Sequence, residues 1–418
     1  MTKAPPLRDD CFAMPRGVEW VPVVEALNTL KGALHPIVDT EELTIERALG
    51  RVLAEDVVAK TSHPPFTNAA VDGYGFLHAA LPKAQEVALP LIDGRAAAGA
   101  AFNETVPPGA AIRILTGAKI PNGVDTVILE EDVALADGQV HFQNAIKAGA
   151  NTRSAGEDFA AGDVIIRRAT KLRPDHLGVL ASAGVSHLTC YRALRIALFA
   201  TGDELIGTNM GTDKINDANR PMLAALLQSM GHEVIDLGII KDDAKAVQNA
   251  LDRAAEKADA ILTTGGASAG EEDHISKILA SSGNLQTWRV AIKPGRPIAM
   301  ALWKGKPVFG LPGNPVAAFV CTVIFAAPAF RVLSGGAWQV PAGYKVPAAF
   351  EKSKKYGREE YLRARLNSNG AAEVFKSEGS GRISGLAWSD GLVRLDHEAA
   401  EIKNGDLVTY LPYSLWLE

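Results

Sequence analysis

The first apolar positions of the chain recur at helical spacing. Val24, Leu27 and Leu30 lie on one face of a 3.6-residue period, which predicts a helix over residues 18–34. The segment Leu43–Gly50 continues the helical pattern, and its terminal glycine suits a helix end. In residues 51–59 apolar and polar positions then alternate, which predicts a strand.

From residue 62 to residue 149 the pattern changes to short apolar runs separated by turn signals. Two of these signals are Pro107-Pro108-Gly109 and Pro121-Asn122-Gly123. Short strands with frequent turns predict a small β-rich module.

After residue 194, apolar runs of strand length alternate with amphipathic segments of helix length. The pattern predicts strands over 195–200, 233–237 and 260–264, and helices over 221–230 and 243–257. Strands separated by helices pair in parallel through right-handed crossovers, which gives a doubly wound α/β/α unit. In such a sheet the ligand lies beyond the carboxyl ends of the strands. Residues 340–418 return to short strands, and we expect a small terminal β-barrel or sandwich there.

Composition narrows the class of protein. A chain of 418 residues exceeds what one core usually serves, so two to four domains are expected. The net charge of −5 argues against a general nucleic-acid binder. The three cysteines (Cys11, Cys190 and Cys321) are scattered and favour a reduced compartment. The longest apolar run, Val316–Phe330, is short for a membrane span and contains Pro328, so a buried helix and a cytosolic protein without membrane partners are expected.

Three polar clusters fall at predicted strand ends: residues 201–204, 216–220 and 265–273. In the third, Gly265 and Gly266 allow a ligand to approach the backbone closely. Ser268 has the spacing of a capping box with Glu271, and a helix that begins there favours an anion.

Hard oxygen ligands occur in all three clusters. Glu204, Asp217 and Asp273 would hold Mg²⁺ if they converge. Taken singly, the two aspartates are also explained as helix caps and the glutamate as a solvated side chain.

Two further segments suit an oxyanion. Lys293 and Arg296 stand on a proline-stiffened turn, where an ordinary basic turn is the alternative. Asn314 is predicted to cap a helix whose first residue is Pro315. The histidines lack the paired spacing of a zinc site, and neither a Walker loop nor a serine nucleophile elbow is present.

Several segments together resemble the MoeA family of molybdopterin molybdenumtransferases, which is related to the E domain of gephyrin. The likeness extends from about residue 18 to the C-terminus, and its segments are PPFTNAAVDGYGF, RILTGAKIP, NTRSAGED, TGDEL, NDANR, GGASAGEED, KPGRP and GLPGNPV. The resemblance implies a linker domain (14–62 and 150–179), a β-rich module (63–149), a MogA-like α/β domain (180–333) and a C-terminal β-barrel (334–418).

The resemblance also implies an activity and its site. Such proteins take adenylated molybdopterin and molybdate, and with Mg²⁺ they form molybdenum cofactor and AMP. They are elongated homodimers, and a molybdopterin adenylyltransferase is a candidate transient partner. By motif match, the catalytic positions are Asp217, Glu204, Thr116 and Asp158, and the metal positions are Asp217, Glu204 and Asp273. The substrate and anion positions are Lys293, Arg296, Gly265, Gly266, Ser268, Pro312, Asn314, Pro315 and Asp72, the last because Thr67 stands where the family often has aspartate.

Two other functions are compatible with these residues. A dimer of this kind could serve mainly as a scaffold for other proteins. The α/β unit could also belong to a nucleotide enzyme such as a molybdopterin adenylyltransferase or a nucleotide pyrophosphatase.

Overall fold

The computed structural model describes residues 20–206, 214–265, 274–281, 285–295 and 297–415. These residues form two compact units. Unit 1 comprises the chain up to residue 41 and from residue 191 onward, and unit 2 comprises residues 42–190. The mixed α/β and β-rich architecture expected from the sequence is confirmed.

Unit 1 is built on a six-stranded sheet. In spatial order its strands are Glu233–Ile240, Arg195–Thr201, Ala260–Thr264, Lys306–Leu311, Pro297–Trp303 and Leu285–Arg289. Its helices are Val23–Ala33, Asn219–Ser229, Ala244–Lys257, His274–Ser281 and the continuous segment Pro315–Leu333, which contains a π-helical turn at Thr322–Ala326. The short strands Leu205–Ile206 and Ile215–Asn216 pair beside this sheet.

Alternating side chains of the central strands explain why helices cover both faces of the sheet. Ile196 and Leu198 enter the core formed with Val23–Ala33, Asn219–Ser229 and Pro315–Leu333. Ala197 and Phe199 enter the opposite core, formed with Ala244–Lys257 and His274–Ser281. A strand buried on both faces reads as a continuous apolar run.

The three strands predicted to pair in parallel do so, and the sheet continues beyond them with an antiparallel edge. The first four strands are parallel, whereas Pro297–Trp303 and Leu285–Arg289 are antiparallel to their neighbours. Lys304 and Gly305 join two of these strands in a two-residue turn, and both have positive φ. Such a tight connection forms a hairpin and leaves no room for a crossover helix.

The C-terminal part of unit 1 carries a second sheet, mostly antiparallel and made of the short strands that the sequence predicted there. Its strands are Ile292–Lys293, Glu359–Leu366, Gly391–Leu395, Leu407–Pro412 and Tyr344–Pro347, with Ala372–Val374 beside Glu359–Leu366 and a separate ladder of Lys352–Lys354 with Ala400–Ile402. Ile292–Lys293 pairs in parallel with Glu359–Leu366, the one parallel pair in this sheet among the described residues. A short helix, Ser384–Trp388, and a 3₁₀ turn, Tyr413–Leu415, complete it.

Unit 2 is rich in β-structure. Its six-stranded sheet has the order Thr126–Leu129, Gly73–Phe76, Ala111–Ile114, Glu86–Ala96, Gln139–Gln143 and Ala134–Ala136. Shorter ladders join Thr40–Thr44 with His187–Tyr191 and Val52–Leu53, Asn68–Ala69 with Thr152–Arg153, and Val57–Val58 with Val164–Ile166. Its helical elements are Pro174–Ser182 and the 3₁₀ turns Ile45–Arg47, His78–Ala80 and Glu130–Asp132.

Two helix predictions near the N-terminus need correction. The first helix begins at Val23, because the carbonyl of Val21 accepts a hydrogen bond from Ala291 instead of starting a helix. The segment Leu43–Gly50 is the end of a strand followed by one 3₁₀ turn, since pairing with His187–Tyr191 overrides its helical pattern.

The buried helix expected around Val316–Phe330 is confirmed. Pro315–Leu333 has the length and apolar composition of a membrane-crossing helix, and 89% of its most apolar window is buried inside the protein. Cys321 lies within it and is fully buried, as expected for a core residue.

Candidate active site

Three strand ends of unit 1 meet at Gly265. Its amide donates to the carbonyl of Leu311 at 3.2 Å. Its φ is +86°, and a Cβ there would lie 2.3 Å from the carbonyl oxygen of Thr201. Only glycine fits such a position, so the backbone of neighbouring strands is packed closely at the carboxyl edge of the sheet.

The side chain of Asn219 joins two segments at this edge through hydrogen bonds. Its side-chain amide donates to the hydroxyl of Thr264 at 2.8 Å and to the carbonyl of Gly313 at 2.7 Å. The Thr264 hydroxyl in turn donates to the carbonyl of Pro312 at 3.1 Å. The network therefore fixes the loop before the long buried helix against the central strand.

Three buried oxygens at this edge have no hydrogen-bond partner within the part of the chain that the structure describes. They are Oδ1 of Asn219, Oγ1 of Thr201 and Oγ1 of Thr263. A buried acceptor left unpaired is costly, so a donor supplied by a ligand or by water would stabilise the edge. Asn219 lies inside the predicted cluster 216–220, but sequence reasoning did not single it out.

The basic turn packs on the same region. Gly295 has a φ of +101°, and a Cβ there would lie 2.6 Å from Sγ of Cys321 and 3.8 Å from Cγ of Pro312. Lys293 is therefore carried on a turn seated against the loop of Pro312 and the helix that follows.

The Lys293 ammonium is held by two carboxylates that the sequence pattern did not predict. Its Nζ lies 2.6 Å from Glu378 and 3.4 Å from Glu360. Lys352 lies against both carboxylates as well. Glu378 is 85 residues from Lys293 along the chain, so no local pattern links them.

The predicted cap at Asn314 was wrong. Asn314 occupies the N-cap position of the helix that begins at Pro315, but its side chain makes no capping hydrogen bond. The amide of Val316 instead donates to the carbonyl of Ser380 at 3.2 Å. One of the free amides expected to attract an anion is thus already satisfied by a loop of the C-terminal part.

Asp217 serves as a cap, the alternative considered from the sequence. Its Oδ1 accepts from the amides of Asn219 and Arg220 at 3.1 Å each, and its Oδ2 accepts from Nε of Arg220 at 3.0 Å. The side chain is only 2% exposed. Little of its acceptor capacity is left for a metal ion.

Glu204 is exposed and lies apart from Asp217. Its carboxylate folds back over Gly202, where a Cβ would be 2.6 Å from Oε2. The parallel pairing of Leu205–Ile206 with Ile215–Asn216 places Glu204 and Asp217 at opposite ends of this ladder. Their Cα atoms are about 10 Å apart along the strands.

The described residues therefore do not fit a magnesium centre. No three Asp, Glu, His or Cys side chains among them converge to hold a metal ion. Asp273, the third predicted ligand, lies outside the described residues, as do Gly266, Ser268 and Arg296.

In unit 2, the residues predicted in the β-rich module are brought together. Asp72 accepts hydrogen bonds from the amide and the hydroxyl of Thr116, both at 2.6 Å. These two bonds from Thr116 hold the pKa of the Asp72 carboxyl below its ordinary value. The carboxylate therefore stays ionised at neutral pH and orders the turn that presents Thr116.

Backbone pairing also joins the three motifs of unit 2. Asn68–Ala69 pairs with Thr152–Arg153, and Gly117 donates to the carbonyl of Ala69 at 2.8 Å. Asp158 is exposed, and its amide donates to the carbonyl of His63 at 3.1 Å.

The chain is similar to known proteins over nearly its whole length. Three family models match the chain: MoeA N-terminal region (domain I and II) over residues 21–184, probable molybdopterin binding domain over 197–332, and MoeA C-terminal region (domain IV) over 345–413. A molybdopterin molybdenumtransferase of Haemophilus influenzae is 35% identical over 383 residues, which cover 90% of this chain and 94% of that protein. One from Nostoc is 33% identical and covers 90% of this chain and 89% of that protein.

A solved structure has the same architecture. The molybdopterin biosynthesis MoeA protein from Pyrococcus horikoshii superposes with a TM-score of 0.83 at 30% identity, covering 94% of this chain and all of that one. Sequence and fold thus agree over nearly the whole chain, which belongs to the MoeA family of molybdopterin molybdenumtransferases, proteins of molybdenum cofactor biosynthesis.

Proposed function

We propose that this chain takes adenylated molybdopterin and molybdate and produces molybdenum cofactor and AMP. Two sulfur–molybdenum bonds form as the two thiols lose their protons and one molybdenum–oxygen bond breaks. The P–O bond of the phosphoanhydride also breaks, and the phosphate of AMP is completed by the oxygen that molybdate loses or by an oxygen from water; in the second case the molybdate oxygen leaves as water with the two thiol protons. The observation that carries the proposal is the carboxyl edge of the sheet in unit 1. There Gly265, the Asn219 network and the Lys293 turn lie around one loop, residues 310–315.

Each feature of this edge supplies a different part of the chemistry. The close backbone packing at Gly265 and Gly313 fixes the strand end and the loop that line this edge. The unpaired Oδ1 of Asn219 offers an acceptor to a ligand N–H or O–H. The Lys293 ammonium is a point charge suited to an oxyanion, and holding the reactants side by side lowers the barrier by positioning.

Magnesium is a separate prediction of the family resemblance. The geometry of Asp217 and Glu204 gives it no support, and no step of the proposed reaction is assigned to the metal. The magnesium dependence of AMP release is tested below with the variant Asp217→Asn.

A homodimer is also proposed from the resemblance. In such a dimer, the β-rich part of one subunit would face the α/β part of its partner. Mixing two inactive variants tests this, since Lys293→Gln and Thr116→Ala lie in different units. Recovery of activity in the mixture supports a shared site, whereas a mixture as inactive as its components contradicts it. A cytoplasmic location and a transient contact with a molybdopterin adenylyltransferase are proposals of the same origin.

The decisive experiment measures AMP release and molybdenum insertion together with purified protein. We expect AMP release to depend on molybdate, and Lys293→Gln to lower it roughly 100-fold. Lys345→Gln, on an exposed strand residue of the same unit, is the matched control and should keep normal activity.

The rival functions give different results in the same assay. A rate of AMP release that does not depend on molybdate would indicate a pyrophosphatase. Synthesis of the adenylated substrate from ATP would indicate an adenylyltransferase. Tight binding without turnover would indicate a scaffold.

A further inference from the structure

Four charged side chains from four segments meet where the two sheets of unit 1 join. We call them the Lys293 cluster: Lys293, Lys352, Glu360 and Glu378. Strand register explains one pairing, because Lys293 lies directly opposite Glu360 in the parallel ladder. The Nζ of Lys352 lies 3.1 Å from Glu360 and also contacts Glu378.

The two carboxylates of the cluster differ in how firmly they are placed. Glu360 lies within a strand, and its side chain is 9% exposed. Glu378 lies in the connection between Ala372–Val374 and Ser384–Trp388, is followed by Gly379, and is 43% exposed. Glu378 can therefore leave the lysines by turning its side chain into solvent, whereas Glu360 is enclosed by protein and remains beside both lysines.

The loop that carries Glu378 is held by other contacts. The buried guanidinium of Arg363 donates to the carbonyls of Ser377, Gly379 and Arg382. The carbonyl of Ser380 accepts from the amide of Val316. Glu378 is thus not required to hold its own loop in place.

Charge balance shows what Glu378 does to the site. Two lysines and two glutamates leave the cluster without net charge, and the lysines hold the carboxylate of Glu378 at hydrogen-bond distance. A dianion placed on Lys293 in this state would lie beside two carboxylates and be repelled. Once Glu378 moves away, the cluster carries a net positive charge and attracts the same dianion.

We propose that Glu378 is an internal competitor of the oxyanion for Lys293 and Lys352 and thereby sets the affinity of this site. The inference rests on the proposed function. Its carboxylate occupies the lysines until a tetrahedral dianion displaces it. A monoanion offers the lysines no more charge than Glu378 itself, whereas a dianion offers more and therefore displaces the carboxylate more readily.

Equilibrium dialysis of the full chain against molybdate alone, at fixed ionic strength, tests this. We expect Glu378→Gln to lower the Kd for molybdate about tenfold, because the internal competitor loses its charge. Glu378→Asp, which keeps the charge on a shorter side chain, should give an intermediate value. Glu373→Gln is the matched control: Glu373 is a carboxylate of the same sheet, pairs with Arg365, and should change the Kd less than twofold.

A second ligand tests the same competition. Perchlorate, a tetrahedral monoanion, should gain affinity by about the same factor as molybdate in Glu378→Gln, because an internal competitor lowers the apparent affinity of both anions alike. The proposal is overturned if Glu378→Gln binds molybdate as the wild type does or more weakly, if Glu373→Gln gives the same gain, or if no variant binds molybdate.

These outcomes are separate from failure of the proposed function. A wild type that binds molybdate but releases no AMP refutes the function, while the order of Kd values among the variants still decides the role of Glu378. Thermal unfolding of each variant identifies any change that arises from loss of structure.

Discussion

The side-chain amide of Asn219 lies 2.8 Å from the hydroxyl of Thr264, at the end of the central strand of unit 1. The same amide donates to the carbonyl of Gly313. Through these bonds, the first turn of a helix holds both a strand tip and the loop before the next helix.

Asn219→Ala should therefore weaken unit 1 and its activity together. Losing two buried hydrogen bonds leaves a carbonyl and a hydroxyl under-satisfied, which costs about 2 kcal/mol in the free energy of unfolding. Loss of placement of residues 310–315 should lower kcat/KM by at least tenfold. Urea unfolding and AMP release measure the two effects.

Asn144→Ala is the matched control for this variant. Asn144 also donates to two carbonyls, those of Pro82 and Ala84, but lies in unit 2. It should lower stability without the loss in kcat/KM. Equal losses of activity in both variants would show that Asn219 acts only through general stability.

Sequence patterns located the strands and helices of unit 1 well. Ala260–Thr264 was predicted with both of its bounds, because a strand buried on two faces is a continuous apolar run. Asp243 accepts from the amides of Lys245 and Ala246, so the predicted start of the next helix has a clear chemical cause.

What the sequence could not predict depends on partners far along the chain. Leu43–Gly50 has a helical pattern, yet its first residues pair with the distant strand His187–Tyr191. The contact of Lys293 with Glu378 likewise requires two sheets to meet. The polar clusters at residues 201–204, 216–220 and 265–273 could be recognised in the sequence. Which side chain each charged group contacts could not.

Asp72→Asn should reduce activity with little change in stability. The substitution turns two charge-assisted hydrogen bonds to Thr116 into neutral ones and loosens the turn that presents this residue. We expect AMP release to fall about tenfold. Asp93→Asn, an exposed aspartate on a strand of the same sheet, should leave the rate unchanged.

A double-mutant cycle decides whether Asp72 acts through Thr116. If it does, Asp72→Asn adds little to the loss caused by Thr116→Ala, because the two residues act as one unit. Losses that multiply would mean that Asp72 contacts the substrate independently.

Asp217→Asn tests the magnesium prediction against the cap. The structure predicts that the variant keeps any metal dependence of AMP release, because Asp217 is used by a helix start and by Arg220. Loss of this buried ion pair should lower the free energy of unfolding by about 2 kcal/mol, less than for an isolated pair because Arg220 keeps Asp236.

Asp236→Asn is the control, since it removes the more exposed partner of the same arginine. It should cost about 0.5 kcal/mol. If Asp217→Asn instead abolishes the magnesium dependence at unchanged stability, Asp217 is a metal ligand and the assignment as a cap is incomplete.

Asp259 should make the stability of unit 1 depend on pH. The carboxylate is 4% exposed and lies at the amino ends of the central strands, where Arg192 binds it through two nitrogens at 2.6 and 2.9 Å. The backbone amide and the guanidinium of Arg195 also donate hydrogen bonds to the Asp259 carboxylate. Burial alone would raise the pKa of Asp259, but the two arginines outweigh it and hold the pKa far below the ordinary value.

The sign of the effect follows from this depressed pKa. The unfolded carboxyl has a pKa of about 3.9, so the stabilisation is complete above that pH and is lost as the pH falls towards the folded value. Asp259→Asn should lower the free energy of unfolding by about 3 kcal/mol at pH 7, because two guanidinium groups lose their buried partner. The gap between wild type and variant should narrow as the pH is lowered from 5 to 3.

Tryptophan fluorescence during urea unfolding isolates this effect. All six tryptophans of the chain lie in unit 1, so the signal does not report the melting of unit 2. Asp396→Asn, which alters an exposed ion pair with Arg394 in the same unit, should change stability by no more than about 0.5 kcal/mol at any pH. A gap between wild type and Asp259→Asn that stays constant down to pH 3 would show that the variant acts by disturbing packing and not by removing a titrating carboxylate.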